Sequence, residues 1–405
     1  MTNLEAGSEA ALVELGRRFL YPNYRQPDLV LVRGQGAVVW DASDRRYLDF
    51  YAGIAVSALG HGHPALVRAV SEQAARLVHV SNYFFNEPNV RLAARLCALT
   101  GLDRAFFANS GAEAVEAALK LVRRHFFAGG ERERLRVIAF HNSFHGRTLG
   151  ALAATGQDKY REGFGPLPNV THVPYGDLEA VRAALGPDVA AILVEPVQGE
   201  GGVLPPPPGF LPGLSAIANE HGCFLIADEI QTGVGRTGTF LAVEHEKVRP
   251  DVVVLAKGLG GGVPIGAMLC TRRLEGALPP GSHGSTFGGN PLASAAALAV
   301  LDTLESEDLL ATVRARAATL AAGLERLTKQ FPSIVRGHRG VGLLQALVLA
   351  PELDARALVA ELQKAGVLVT VAGGCALRFS PPLVVTDAEL EEGLSIVERV
   401  LATRS

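Results

Sequence analysis

The chain has 405 residues, more than one hydrophobic core usually serves, so two packed domains or one large domain with an appendage are expected. Hydrophobic residues make up 48% and charged residues 20%, the balance of a globular rather than a disordered protein. A net charge of −3 supplies no basic excess for nucleic acid or an anionic membrane, which leaves small-molecule chemistry open.

The opening Ser8–Phe19 has helical periodicity and leads into the proline-punctuated arm YPNYRQP. Glu5, Glu9 and Glu14 stand where a secretory signal needs an apolar run, and no stretch reaches the length of a membrane span. The four cysteines, Cys97, Cys223, Cys270 and Cys375, form no CxxC pair and read as reduced thiols. A cytoplasmic protein with no membrane or nucleic-acid partner is the expectation.

Next, LVLVRGQGAVVWDASDRRYLDF reads as strand, glycine turn and strand, with Asp41–Arg45 as a hairpin turn. From about Pro64 to Asn290 short apolar runs alternate with helical stretches. The candidate strands are Asp103–Ala108, Val137–Phe140, Val189–Val194, Cys223–Asp228, Val252–Ala256 and Met268–Thr271. Ala112–Phe127 and Leu211–Glu220 are helical in pattern. This alternation predicts an α/β fold with a large, mostly parallel sheet. After Pro291 the texture shifts to the Ala/Leu-rich helices Leu292–Leu304 and Leu309–Thr328. Strand–helix–strand material follows, up to a C-terminal helix Asp387–Thr403. The expected division is 1–63, an N-terminal arm and part of a small domain; 64–290, a large domain; and 291–405, a smaller α+β domain.

Three positions in the large domain suggest chemistry. In FFANSGAEAVEAALKLVRR an apolar strand meets a strong helix, and Ser110 with Glu113 fits a capping box. Gly111 would let a backbone N–H approach a ligand, and the helix start favours an anion. A capped helix with no ligand is the plainer reading of that segment alone. Asp228 ends the apolar strand CFLIAD, at the sheet edge where parallel folds bind ligands. Lys257 directly follows the apolar run Val252–Ala256 and opens a glycine-rich loop. Burial there would lower its pKa and free the amine for Schiff-base chemistry, the alternative being a surface lysine at a strand exit. A carboxylate for a pyridinium nitrogen, an amine for an aldehyde and a helix start for a phosphate are together what pyridoxal 5′-phosphate requires.

Eight segments in order carry a family likeness: GIAVSALGHGHP, NSGAEAVEAALKLVR, AFHNSFHGRTLGALAATG, EPVQGEGGV, ADEIQTGVGRTG, LAKGLGGGVPIGAM, GSHGSTFGGNP and LRFSPPLVV. Through them the chain resembles the class III (fold type I) aminotransferases that use pyridoxal phosphate, and most closely their acetylornithine branch. The resemblance implies that Gly111 and Ala112 hold the cofactor phosphate and that Phe144 stacks on the ring. It places Asp228 on the ring nitrogen, Gln231 near the ring hydroxyl and Lys257 on the aldehyde carbon. Thr286 would reach the phosphate of a neighbouring subunit, which implies a homodimer with shared active sites. Arg378 and Arg147 are expected to bind substrate carboxylates, Ser285 to contact the amino donor, and Glu200 to pair with Arg378 when an ω-amine enters. Ala112 and Val115 depart from the Thr and Asn that the family often has, so one hydroxyl bond to the phosphate is lost.

The implied reaction moves the δ-amino group of N2-acetyl-L-ornithine to 2-oxoglutarate, a step of arginine biosynthesis. Relatives with nearly the same motifs take ornithine, succinylornithine, carrier-linked lysine precursors or 4-aminobutyrate. Ile54 stands where ornithine-specific relatives have Tyr. A cofactor-binding relative without turnover is the alternative of a different class, opposed by Lys257, Asp228 and Arg378 occurring together. GVGRTG (233–238) formally matches GxGxxG but is set apart from its strand by DEIQT, so a dinucleotide site is disfavoured. His141 and His145 have zinc-site spacing without the HExxH glutamate, and no metal is expected. His61 and His63 read as turn and packing residues.

Overall fold

The computed structural model describes residues 8–25 and 27–404. Residues 1–7 of the expected 1–63 segment, with Glu5, and Gln26 of the proline-punctuated arm lie outside the described residues. Among the described residues no helix is long and apolar enough to cross a membrane.

In chain order the strands begin with β1 (Leu31–Gln35), β2 (Val38–Asp41) and β3 (Arg46–Asp49). Then come β4 (Arg104–Ala108), β5 (Arg136–Phe140), β6 (Val170–Val173), β7 (Val189–Val194), β8 (Phe224–Asp228), β9 (Val252–Leu255) and β10 (Gly266–Cys270). The last are β11 (Val335–Val341), β12 (Leu344–Leu349), β13 (Val367–Leu368), β14 (Thr370–Ala372) and β15 (Ala376–Phe379). They form a seven-stranded sheet in the order β4-β10-β9-β8-β7-β5-β6 and two four-stranded sheets, β1-β2-β3-β13 and β11-β12-β15-β14. Strand β13, late in the chain, pairs parallel with β3 near its beginning, which ties the N-terminal hairpins to the C-terminal region.

Within the large sheet β6, β5, β7, β8 and β9 pair parallel, whereas β10 is antiparallel to both β9 and β4. One reversal on each side of β10 returns β4 to the direction of β9. All six parallel strands therefore end at the same edge. Strands β7, β8 and β9 are buried at every position, as expected where helices cover both faces. Alternation along the strands divides the interior in two. Val137, Ala139, Leu193, Ile226 and Val254 face helix Gly111–Ala128, which buries Ala114, Val115, Ala118 and Val122 on them. Ile138, Phe140, Ile192, Leu225 and Val253 face the other way and join Phe210, Leu214 and Ile217 of helix Phe210–His221.

Strand β6 is the strand of the large sheet that the periodicity missed: VTHV is short and only Val173 is buried. The expected capping box is present in half. Ser110 Oγ accepts from Glu113 N at 3.3 Å, but the Glu113 carboxylate accepts from Asn109 N at 2.6 Å, one residue further back. The GVGRTG loop docks the large sheet on the C-terminal one. Arg236, buried, donates from Nη1 to the carbonyls of Leu343 and Pro381, and its own carbonyl accepts from Leu343 N at 2.9 Å. With no carboxylate in ion-pair range among the described residues, burial pushes the guanidinium down to about 9.

Candidate active site

Where the parallel strands end, a cavity of about 420 Å³ opens, lined among others by Ser110, Gly111, Phe144, Asp228, Gln231 and Lys257. Ala112, Arg147, Glu195 and Glu200 also line it. A larger hollow of about 630 Å³ lies between helices Pro64–Arg76, Glu87–Thr100 and Pro291–Ser306. Its charged residues Arg68, Glu72 and Arg76 are exposed, so it offers solvated charges and no poised nucleophile. The smaller cavity is where the chemistry gathers.

Lys257 follows β9 by two residues and adopts a left-handed backbone, φ +45°. For a residue with a side chain that conformation costs on the order of 1–2 kcal/mol, and it persists because buried neighbours hold the loop. The side chain lines the cavity and is partly exposed to it, while protein surrounds the amine. Burial pushes its pKa down to about 8; Glu200, Asp228 and Glu195 oppose that shift and Arg378 adds to it. A lysine with that pKa is half unprotonated at about pH 8, where an ordinary lysine is almost fully charged.

Asp228 closes β8 with both oxygens engaged. Oδ1 accepts from Ile230 N at 3.1 Å, and Oδ2 lies 2.6 Å from His145 Nδ1. Both side chains are buried. Among the described residues His145 Nε2 has no hydrogen-bond partner. At the other end of the cavity the first N–H groups of helix Gly111–Ala128, those of Gly111 and Ala112, have no intrahelical acceptor. The glycine at 111 has a packing cause as well as a ligand one: a Cβ there would sit 2.7 Å from Ile230 Cδ1. Gly266, paired with Ala108, comes so close that its Cβ would lie 2.2 Å from Ser110 O, which fixes the helix start against β10.

A second cluster adjoins the first. Arg378, on β15 and buried, donates from Nη1 to Glu200 Oε1 at 2.5 Å and to Gln231 Oε1 at 3.3 Å. Gln231 Nε2 also donates to Glu200 Oε1 at 3.3 Å. Burial would push the Glu200 carboxyl up, but Arg378 and Lys257 outweigh it and the net shift is downward. Arg147 stands over the Tyr160 ring at 4.1 Å and over Phe144 at 5.4 Å, and among the described residues it makes no ion pair. Ile54 lies in a left-handed run from Ala52 to Ala55.

The structure thus brings Gly111, Ala112, Phe144, Arg147, Glu200, Asp228, Gln231 and Lys257 to one cavity, with Arg378 bonded to it through Glu200. It does not bring Ser285 and Thr286 there. These line a separate hollow of about 310 Å³, linked to the first through Asn109, whose Nδ2 donates to Ser285 Oγ at 3.2 Å. Sequence reasoning missed His145 and Glu195. The signal for Glu195 was the one used for Asp228, a carboxylate closing an apolar strand. His145 was weighed only for its spacing from His141, while its place beside Phe144 was the useful clue. The donor set fits pyridoxal phosphate: an uncharged-capable amine, a buried carboxylate for a ring nitrogen, an aromatic wall and unpaired N–H groups for a phosphate.

The Aminotransferase class-III family profile matches residues 20–401. The chain is 51% identical over 394 residues to an acetylornithine aminotransferase of Myxococcus xanthus, covering 96% of this chain and 98% of that one. It is 46% identical to a succinylornithine transaminase/acetylornithine aminotransferase of Pseudomonas aeruginosa, over 95% of each. Among solved structures, the ornithine aminotransferase of Toxoplasma gondii superposes with a TM-score of 0.95 at 35% identity, covering 100% of this chain and 99% of that one. The N-acetylornithine aminotransferase of Stenotrophomonas maltophilia gives a TM-score of 0.84 at 37% identity, covering 97% and 99%.

Burial alone would push the His145 imidazole down. Its hydrogen bond to Asp228 and the charges of Asp228 and Glu195 outweigh that, so its pKa is raised above 6.5. A raised value means that the pair stabilises the fold fully below 6.5 and loses that contribution as pH rises through the folded-state pKa. Nitrogen-15 NMR of the imidazole should therefore show the doubly protonated form persisting above pH 6.5. A midpoint at or below that value contradicts the pairing.

Proposed function

The chain belongs to the class-III aminotransferases, and from that premise we propose that it transfers the δ-amino group of N2-acetyl-L-ornithine to 2-oxoglutarate, yielding N-acetylglutamate semialdehyde and glutamate. It is a pyridoxal-phosphate-dependent transaminase. The observation that carries the substrate reading is the 51% identity to an acetylornithine enzyme over nearly both whole chains. A place in arginine biosynthesis and in the cytoplasm follows from that reading, the latter also in keeping with four free cysteines.

When bound, pyridoxal phosphate supplies an aldehyde that links to amines and a ring that withdraws electrons from the adjoining carbon. The residues divide the remaining work. Gly111 and Ala112 offer backbone N–H groups to the phosphate, with the helix dipole in support. Phe144 would cover one face of the ring and Gln231 would stand near its hydroxyl, both lining the cavity. Asp228, held in place by His145 and Ile230 N, would face the ring nitrogen and hold the proton there. Lys257 Nζ would be the amine that links to the aldehyde and, once freed, the base that takes a proton from the δ-carbon of the donor, a role its pKa of about 8 suits.

Glu200 and Arg378 act as a gate. With the pair closed, Arg378 is masked and an ω-amine with no carboxylate at that end can enter. With Glu200 displaced, Arg378 is free to bind one carboxylate of 2-oxoglutarate in a bidentate fork, and the unpaired Arg147 takes the other. Residues 64–290 would form the cofactor-binding domain, with 1–63 and 291–405 joined through the β3–β13 pairing as the substrate-side domain.

A homodimer with shared sites is part of the proposal. Tyr83, Phe84 and Phe85 are exposed, Phe85 by 96%, and Asn82 Nδ2 ties their loop to Ser285 O at 2.9 Å. An apolar patch of this kind beside Ser285 and Thr286 suits a second copy, whose cavity these two residues would complete. The succinylornithine alternative draws on the Pseudomonas aeruginosa relative's name.

Stopped-flow half-reactions of the holoenzyme with N-acetylornithine, N-succinylornithine, ornithine and 4-aminobutyrate should rank N-acetylornithine first; a higher kcat/KM for another donor replaces the substrate reading. Lys257→Ala should abolish turnover, and borohydride reduction of the unaltered protein should label Lys257. A label elsewhere removes its role. Glu200→Gln should impair the ω-amine half-reaction more than the glutamate one, equal losses contradicting the gate. Sedimentation should give the mass of two chains, and a single-chain mass would sink the shared site.

A further inference from the structure

Of the buried carboxylates at the cavity, Glu195 is left without a task by the chemistry above. It follows β7 directly, is 6% exposed and lines the cavity wall. Its two oxygens serve two different loops. Oε2 accepts from Phe144 N at 3.0 Å, in the loop after β5, and Oε1 accepts from Gly199 N at 3.4 Å, in the loop that carries Glu200. Tyr175 pins the backbone at this point, its hydroxyl donating to Glu195 O at 3.1 Å and Pro196 O at 3.0 Å.

Gly199 has no slack. A Cβ there would lie 1.5 Å from Gln231 Oε1, and Gln231 bonds both Glu200 and Arg378. A shift at Gly199 is therefore passed to the whole gate. Resting on the transaminase reading above, we propose that Glu195 is a positioning residue: by holding Phe144 N and Gly199 N at once, it fixes the spacing between the aromatic wall and the Glu200–Arg378 gate.

The same geometry makes the clamp sensitive to protons. His145 faces Glu195 from the loop after β5, Asp228 from the end of β8, Lys257 from beyond β9, and Tyr175 from beyond β6. No basic side chain lies within ion-pair distance of it among the described residues. Burial pushes its carboxyl up to about 7; Asp228 adds to the shift, while His145, Phe144 N and Lys257 oppose it. Above that pH both oxygens are full acceptors. Below it one oxygen carries a hydrogen and the clamp keeps one strong arm, so the gate loosens as pH falls through about 7.

Glu195→Gln in the holoenzyme keeps the volume and sets an NH2 group against one backbone N–H. It should lower kcat/KM of both half-reactions by about 10- to 100-fold, as small misplacements of reacting groups do. It should also remove the limb of the wild-type kcat/KM profile between roughly pH 6 and roughly pH 8. Hydrogen exchange of unaltered protein gives a readout independent of turnover and of the variant's folding. Protection of the Phe144 and Gly199 amides, corrected for intrinsic rates, should fall together as pH drops through about 7. If protection at both stays constant, or the variant keeps the wild-type profile, the clamp is refuted. Cofactor absorbance and turnover of the unaltered enzyme, recorded in the same series, test the transaminase reading separately, since their loss would strike that reading and not the hydrogen bonds.

Discussion

Strands that run in one direction must end at one edge, and the loops that follow them must crowd together there. In this chain β4, β5, β7, β8 and β9 obey that constraint, with β10 reversed between β9 and β4 so that β4 regains the common direction. The helix start at Ser110–Gly111, the Phe144–His145 pair, Glu195, Asp228 and Lys257 each lie within a few residues of such an end. None could hold its place if the strands were free to slip. Complete burial of β7, β8 and β9 between two helical layers prevents this, because a one-residue slip would turn each side chain to the other layer.

Gathering charges at one edge carries a desolvation cost, and the site meets it unevenly. Asp228 is satisfied on both oxygens, and Arg378 and Glu200 neutralise one another. Lys257 and Glu195 are left to respond by changing their proton affinity. The same low-dielectric surroundings push the lysine down to about 8 and the glutamate up to about 7, because burial disfavours whichever form is charged. Opposed shifts in neighbouring groups allow the amine to lose a proton and the carboxyl to hold one near neutrality, the first suited to proton transfer at carbon and the second to a pH-sensitive clamp. Arg236 shows a different outcome: buried on carbonyls alone, it spends its charge joining the large sheet to the C-terminal strands.

Much of this was legible beforehand. Val189–Val194 was read to the residue, and the strands ending in Phe140 and Asp228 were located because doubly covered strands are continuous apolar runs. Strand β6 escaped because VTHV at a sheet edge buries one residue and has no such run. Helix Gly111–Ala128 began where Ser110 indicated, yet the partner of Glu113 differed, since the choice between Asn109 N and Ser110 N depends on how the preceding strand enters. His145 had no local signature beyond its place beside Phe144. An imidazole becomes a carboxylate's partner only when the sheet brings two strand ends to one edge, and here the loop after β5 reaches the end of β8 across the intervening β7.

The sequence by itself determined the order of strands and helices, the lysine and the carboxylate closing apolar runs, and the motifs that placed the chain in its family, because these depend on periodicity and residue type along short stretches. Only the tertiary structure decided that β10 runs backwards, that Glu195 bridges Phe144 and Gly199, that Gly111 is demanded by Ile230 as well as by a ligand, and that Ser285 and Thr286 stand apart from Lys257. Each of those depends on distances between residues far apart in the chain. Such distances are set by how whole layers pack, which no local pattern of side chains encodes.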